Sequence, residues 1–123
     1  MAYRKSLLLM ILSLAVFVAC GPDTIFLRPS LDTPQQHVKN GRSLLARGKI
    51  EAANAEFVRA AALDDAYAPA YVGLALIQGH QGDVANGLET LNRARSLAAT
   101  PEESREVERG FEQLRGMQTA GQD

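Results

Sequence analysis

The feature that most constrains this chain is a pattern that returns after 34 residues. A run of small and apolar positions between residues 41 and 60 is repeated between residues 75 and 94. Five positions match, small with small or apolar with apolar: Gly41 with Ala75, Gly48 with Gly82, Ala53 with Gly87, Phe57 with Leu91 and Ala60 with Ala94. Self-similarity at a fixed period predicts stacked copies of one supersecondary unit.

The repeated unit is predicted to be helical. Alanine is abundant, tryptophan is absent, and runs of alternating β-branched residues are missing, which favours an all-α domain. Glycine and aspartate interrupt the apolar periodicity at regular intervals. The breaks predict helices over 34–47, 50–63, 68–81 and 84–97, with a fifth that begins after Thr100.

Two of these helices begin with the same residues. Thr33 precedes a proline and stands three positions before Gln36, and Thr100 stands in the same relation to Glu103. This is the pattern of a capping box with proline at the first helical position. The fifth helix has one apolar stripe on a charged background, which indicates a terminal helix that is covered on one side. We expect its end, from Gly116, to be frayed.

The period, the helix–turn–helix unit and the matched small, glycine, aromatic and alanine positions resemble the tetratricopeptide repeat. The resemblance implies a right-handed superhelical array of two repeats and a solvating helix. His37 and Tyr71 stand where the family usually has tryptophan. Two repeats are near the lower limit for stability, so a homo-oligomer or a larger complex would help to cover an open end.

The first 19 residues predict an export signal. Arg4 and Lys5 precede an apolar stretch over residues 7–19. At 13 residues, this stretch is shorter than the roughly 20 that a membrane-spanning helix needs. A short apolar segment behind positive charges is typical of a secretory signal peptide.

The end of that signal resembles the lipobox of bacterial lipoproteins. Phe17 to Gly21 reads FVACG, and Cys20 is the only cysteine. Phe17 departs from the usual leucine. The resemblance implies cleavage before Cys20, which would carry diacylglycerol and an N-acyl chain, and it implies no other cofactor. Gly21 implies the outer membrane, on the face towards the periplasm. The alternative is a plain signal peptide with an incidental cysteine.

Taken together, these patterns divide the chain into six segments. A tether rich in proline and glycine follows the anchor, and its apolar residues Ile25, Phe26 and Leu27 either fold back onto the helices or contact lipid or a partner. The predicted segments are a signal peptide (1–19), lipidated cysteine and tether (20–33), repeat one (34–67), repeat two (68–101), a capping helix (101–116) and a frayed tail (117–123).

Composition and motifs exclude several functions. Arg4 and Lys5 are the only charged residues before Cys20, so the chain after the signal carries eleven basic and fourteen acidic residues. Nucleic-acid binding needs a strongly basic face, and we predict none. One cysteine allows neither an internal disulfide nor a cysteine zinc site. No nucleophile, metal or phosphate motif occurs, so the sequence predicts no catalytic residue and no enzyme.

The resemblance implies a binding site on the concave face, which the first helix of each repeat would line. Such a strip could hold a short helix or an extended peptide from a protein partner. The alternative is that part of it belongs to the core. The residues implied are Gln35, Val38, Arg42, Leu45, Val72, Leu76 and His80.

The sequence thus predicts a membrane-anchored scaffold or assembly factor of the bacterial cell envelope. Lipoproteins of pilus assembly and secretion systems that carry such repeats are the analogues, and fold-level analogy sets only a prior. Two alternatives stay open at this point. One is an accessory domain of an envelope enzyme system that acts on cell wall or lipid. The other is a lipid-related or stress-related periplasmic factor.

Overall fold

The structure is a computed structural model that describes residues 32–121, and all regular structure in this part of the chain is α-helix. The predictions for the signal peptide, Cys20 and the apolar residues of the tether lie outside these residues. None of the described helices is both long and apolar enough to cross a membrane. The helices are α1 Pro34–Ala46, α2 Ile50–Leu63, α3 Ala68–His80, α4 Val84–Leu97 and α5 Pro101–Ala120.

The turn from α1 to α2 has the same hydrogen bonds as the turn from α3 to α4. The amide of Gly48 donates to the carbonyl three residues earlier (2.9 Å), and that of Lys49 to the carbonyl five residues earlier (3.0 Å). Gly82 and Asp83 make the equivalent bonds at 3.0 and 2.9 Å. This is the Schellman motif, which places its glycine in the left-handed region. With φ of +73° at Gly48 and +86° at Gly82, both are confirmed as turn residues.

The predicted capping boxes are confirmed at one helix only. At α5, the Thr100 hydroxyl accepts from the Glu103 amide (3.1 Å) and the Glu103 carboxylate accepts from the Thr100 amide (3.1 Å). At α1, the Thr33 hydroxyl accepts from the Gln36 amide (3.2 Å), but the Gln36 side chain donates to Asn40 at 2.8 Å instead. The prediction of a complete box at Thr33 is therefore wrong, because the next turn of α1 offers Gln36 a different acceptor.

The helices stack so that each packs against the next in sequence. In addition, α3 packs against α1 on one side and against α5 on the other. The pairs α1–α2 and α3–α4 make the most extensive contacts. The central helix α3 is therefore the most deeply buried element, with nine of its thirteen residues inaccessible to solvent.

The Phe57 ring fills the space between the two pairs. This fully buried side chain comes from α2 and lies against Gly41 of α1 and Gly73 of α3. A Cβ atom would lie only 2.7 Å from the ring at Gly41 and 2.2 Å at Gly73. Both distances are too short for carbon atoms in contact. The glycines are therefore required by packing, and the predicted role of Phe57 between neighbouring units is confirmed.

Leu91 has the corresponding role between α3, α4 and α5. A Cβ atom at Gly110 of α5 would lie 2.9 Å from the Leu91 side chain. Within the pair α3–α4, a Cβ atom at Gly87 would lie 2.9 Å from the carbonyl oxygen of Ala75. The prediction that Gly87 packs closely against the first helix of its own pair is confirmed.

The last helix is longer than the sequence predicts. The predicted end at Gly116 is wrong, since α5 continues to Ala120 and is followed by Gly121. Met117 explains the extension: it is partly buried and packs against the second core, close enough to Gly79 that a Cβ there would lie 2.7 Å from its sulfur. The predicted frayed tail is thus helical over residues 117–120.

We predict that the two turn glycines and Gly116 respond in opposite directions to alanine. Gly48→Ala and Gly82→Ala should each lower the free energy of unfolding by about 1–2 kcal/mol, because an L-residue is strained in the left-handed region. Gly116→Ala should raise it by about 0.5–1 kcal/mol, because Gly116 lies inside α5 with open space around it and alanine favours helix. Urea unfolding measures all three. A loss of stability in Gly116→Ala, or none in the turn variants, would contradict this account.

Candidate functional site

One cleft is bordered by the alternate helices α1, α3 and α5. It has a volume of about 300 Å³, which is at the lower end of the range for ligand sites. Apolar side chains and glycines form its floor, and charged and amide side chains form its rim. The lining residues are Arg42, Leu45, Phe57, Val72, Gly73, Leu76, Glu106, Arg109, Gly110 and Gln113.

Four of the seven residues predicted for the binding face meet in this cleft: Arg42, Leu45, Val72 and Leu76. They come from two helices and were selected by the 34-residue register alone. Leu45 and Leu76 are partly buried, and Val72 is 4% exposed. Val72 therefore belongs both to the cleft and to the core that surrounds Leu91.

The other three predicted residues lie elsewhere. Val38 is 2% exposed and packs in the core around Phe57, so its assignment to the binding face is wrong. Its apolar side chain points to the interior because α2 covers that side of α1. Gln35, in the first turn of α1, and His80, the last residue of α3, are exposed and do not line the cleft.

Sequence reasoning missed the contribution of α5. Glu106, Arg109 and Gln113 line the cleft from this helix, which was predicted only to cover the end of the array. The signal was present in the repeated helix starts. Thr33 and Thr100 are 67 residues apart, and the same spacing aligns Arg42 with Arg109.

An ion pair spans the cleft. The Arg42 guanidinium on α1 donates to the Glu106 carboxylate on α5. The Glu106 side chain is 16% exposed, whereas that of Arg42 is 54% exposed. Desolvation, with the positive charge of Arg109 acting in the same direction, lowers the pKa of Arg42, but a guanidinium stays charged in a protein. The cleft therefore presents two cations and one carboxylate that is turned inward.

A second polar cluster joins the start of α1 to α2. The two ring nitrogens of His37 lie 2.8 Å from carboxylate oxygens of Asp32 and Glu56. Arg59 also binds Asp32, with Nη2 2.6 Å from the carboxylate. Only a protonated imidazole can donate from both nitrogens. The cluster fastens Asp32, the first described residue, to both helices of the first pair.

The charges of this cluster shift its titrations in opposite directions. The hydrogen bond to Asp32 and, next, that to Glu56 outweigh desolvation and raise the pKa of His37 above 6.5. Hydrogen bonds from Arg59 and His37 lower the pKa of Asp32 to about 2. Over residues 32–121, no group of three or more His, Cys, Asp or Glu side chains is arranged to hold a metal ion.

A smaller feature concerns two arginines of α4 that the sequence predicts to be simple surface residues. The guanidinium carbon of Arg93 lies 4.3 Å from the ring centre of Tyr71, and that of Arg95 lies 4.3 Å from the ring centre of Phe111. Arg93 also donates to the Tyr71 hydroxyl at 3.0 Å. Each arginine thus shields an aromatic ring of the core from solvent.

Comparison of the chain with protein-family models, with curated proteins and with solved structures gives no match. The assignment of a function therefore depends on the residues and geometry described above.

We predict that the His37 cluster makes stability depend on pH. Because the pKa of His37 is raised in the folded state, its contribution is complete below 6.5 and is lost as the pH rises through the folded value. Asp32 acts in a separate window, since its contribution is present above 3.8 and is lost only as the pH falls towards 2. Stability should therefore be higher at about pH 5.5 than at about pH 8.5 on account of His37.

An NMR titration of the His37 ring, with urea unfolding at both pH values, checks this prediction. Glu56→Gln removes one of the two carboxylates and should lower the pKa of His37 and weaken the pH dependence. Glu51→Gln is the matched control, because Glu51 is exposed on the same helix. A pKa of His37 at or below 6.5 in the wild-type chain would contradict the double hydrogen bond.

Proposed function

We propose that this protein is a membrane-anchored adaptor of the bacterial cell envelope that holds a peptide segment of a protein partner in the cleft between α1, α3 and α5. The observation that carries the proposal is the convergence of Arg42, Leu45, Val72 and Leu76 on one cleft. They occupy corresponding faces of α1 and α3, whereas the packing residues occupy the opposite faces. A mixed apolar and charged groove of this kind suits a short peptide with spaced anchor residues.

The proposal includes a tetratricopeptide arrangement with a right-handed superhelix. Three features support it: the 34-residue period, the Schellman turn that recurs at Gly48 and Gly82, and the alternate helices that border a single cleft. In this arrangement α5 acts as the first helix of an incomplete third unit. Self-association stays a prediction, and Val58, at 50% exposed, is the most exposed large apolar side chain of residues 32–121.

The anchor is proposed from the sequence. Cys20 follows a short apolar segment and two positive charges, as in a lipoprotein signal. Two or three acyl chains would make attachment to the membrane stable, whereas one chain alone binds reversibly. A tether of about twelve residues, at about 3.3 Å each, would let the helices reach about 40 Å from the bilayer. Gly21 suits the outer membrane, and the helices would then face the periplasm.

We predict that Cys20→Ala abolishes attachment. Metabolic labelling with palmitate should mark the wild-type chain and leave the variant unlabelled, and the variant should leave the outer-membrane fraction. Ser30→Ala, a change in the tether that leaves the cysteine intact, serves as the control. A Cys20→Ala chain that still fractionated with the outer membrane would refute the anchor.

We further predict that a partner contacts the cleft in living cells. A photo-crosslinking amino acid at Leu76 should give a defined protein adduct. The same amino acid at Glu89, which is exposed on α4 outside the cleft, should not. Both variants must retain the helical circular dichroism of the wild-type chain. Adducts of equal yield at both positions, or none at Leu76, would contradict the proposed function.

A further inference from the structure

The Arg42–Glu106 ion pair is unusual in this fold because it connects helices at opposite sides of α3. Arg42 comes from α1 and Glu106 from α5, 64 residues apart, and α3 packs against both helices. The pair lies across the rim of the cleft, above the apolar side chains of Leu45 and Leu76. A partner that reaches this floor must therefore meet the ion pair.

The charges of the rim are unequally accessible. Side chains of Arg42 and Arg109 are 54% and 57% exposed, whereas that of Glu106 is 16% exposed. Arg109 has a loose contact of 3.6 Å with Glu102. An incoming group therefore meets two available guanidinium groups, while the one carboxylate of the lining is largely covered. This arrangement favours an anionic group and disfavours a cation, which Arg42 and Arg109 would repel.

The existing ion pair is easily exchanged. An ion pair with one partner exposed to solvent changes an equilibrium constant by no more than about fivefold. A carboxylate of a ligand could take the place of Glu106 at Arg42 and also gain Arg109. A bidentate contact between guanidinium and carboxylate would fix its position.

We infer that the cleft selects peptides in which an aspartate or glutamate lies beside apolar residues, with Glu106 as an internal competitor that the carboxylate of the partner displaces from Arg42. The inference rests on the proposed function, since it names the chemistry of the segment that the cleft holds. The apolar residues of the peptide contact Leu45, Val72 and Leu76, and its carboxylate binds Arg42 and Arg109. Displaced Glu106 turns towards solvent.

The test uses a phage-displayed library of random peptides, selected against the full chain purified in detergent. We expect the selected peptides to combine apolar residues with Asp or Glu. Their Kd is then measured for variants of the chain. Arg42→Gln should weaken binding about fivefold, and Glu106→Gln should strengthen it about threefold because the competitor is removed.

Matched controls separate the cleft from general charge effects. Lys39→Gln on α1 and Glu112→Gln on α5 change exposed charges outside the cleft, and Kd should stay the same. Replacement of the acidic residue of the peptide by its amide should remove the effect of both cleft variants. Circular dichroism confirms that each variant remains helical.

The outcomes distinguish this inference from the proposed function. If Leu76→Gln weakens binding but Arg42→Gln does not, or if the selected peptides lack acidic residues, the charge selection is wrong and the cleft remains the binding site. If Glu106→Gln weakens acidic peptides, Glu106 is not a competitor. If no peptide is enriched, or none depends on Leu76, the proposed function itself fails.

Discussion

The contact of the Phe57 ring with two glycines determines how the first and second helix pairs stack. Gly41 on α1 and Gly73 on α3 leave no room for a Cβ atom beside the ring, so the backbones of both helices approach it directly. Interiors are close-packed and respond to the volume of a single methyl group. The separation of α1 and α3 is therefore set by one ring, and with it the width of the cleft that these helices border.

The same constraint explains what could be predicted from the sequence. The turns at Gly48 and Gly82, the packing of Phe57 and Gly87 and four cleft residues follow from local chemistry and the 34-residue register. The assignment failed for Val38, because a face of a helix contains core and groove positions one turn apart. It also missed Arg109 and Glu106, because the charged character of α5 suggested a purely solvated helix. Only packing shows that its charged face borders the cleft.

Electrostatics contribute to this molecule mainly through position. The Arg42–Glu106 pair is half exposed and adds little to stability, but it decides which charge a ligand meets first. His37 acts at another place in the fold. Because Asp32 and Glu56 bind its two ring nitrogens, it fixes where the chain enters the first helix pair. Binding chemistry thus lies on the face of α1 that meets α3 and α5, while the cluster at the start of α1 orients the chain that leads to the proposed anchor.

Nuclear Overhauser effects at Phe57 test the central claim, the stacking of two helix pairs on one ring, most directly. The measurement is made on the folded chain with assigned glycine Hα resonances. Strong effects from the Phe57 ring protons to the Hα protons of both Gly41 and Gly73 are the predicted result. Their absence at either glycine would mean that α1 and α3 do not meet on this ring, and the cleft between them would then have no structural basis.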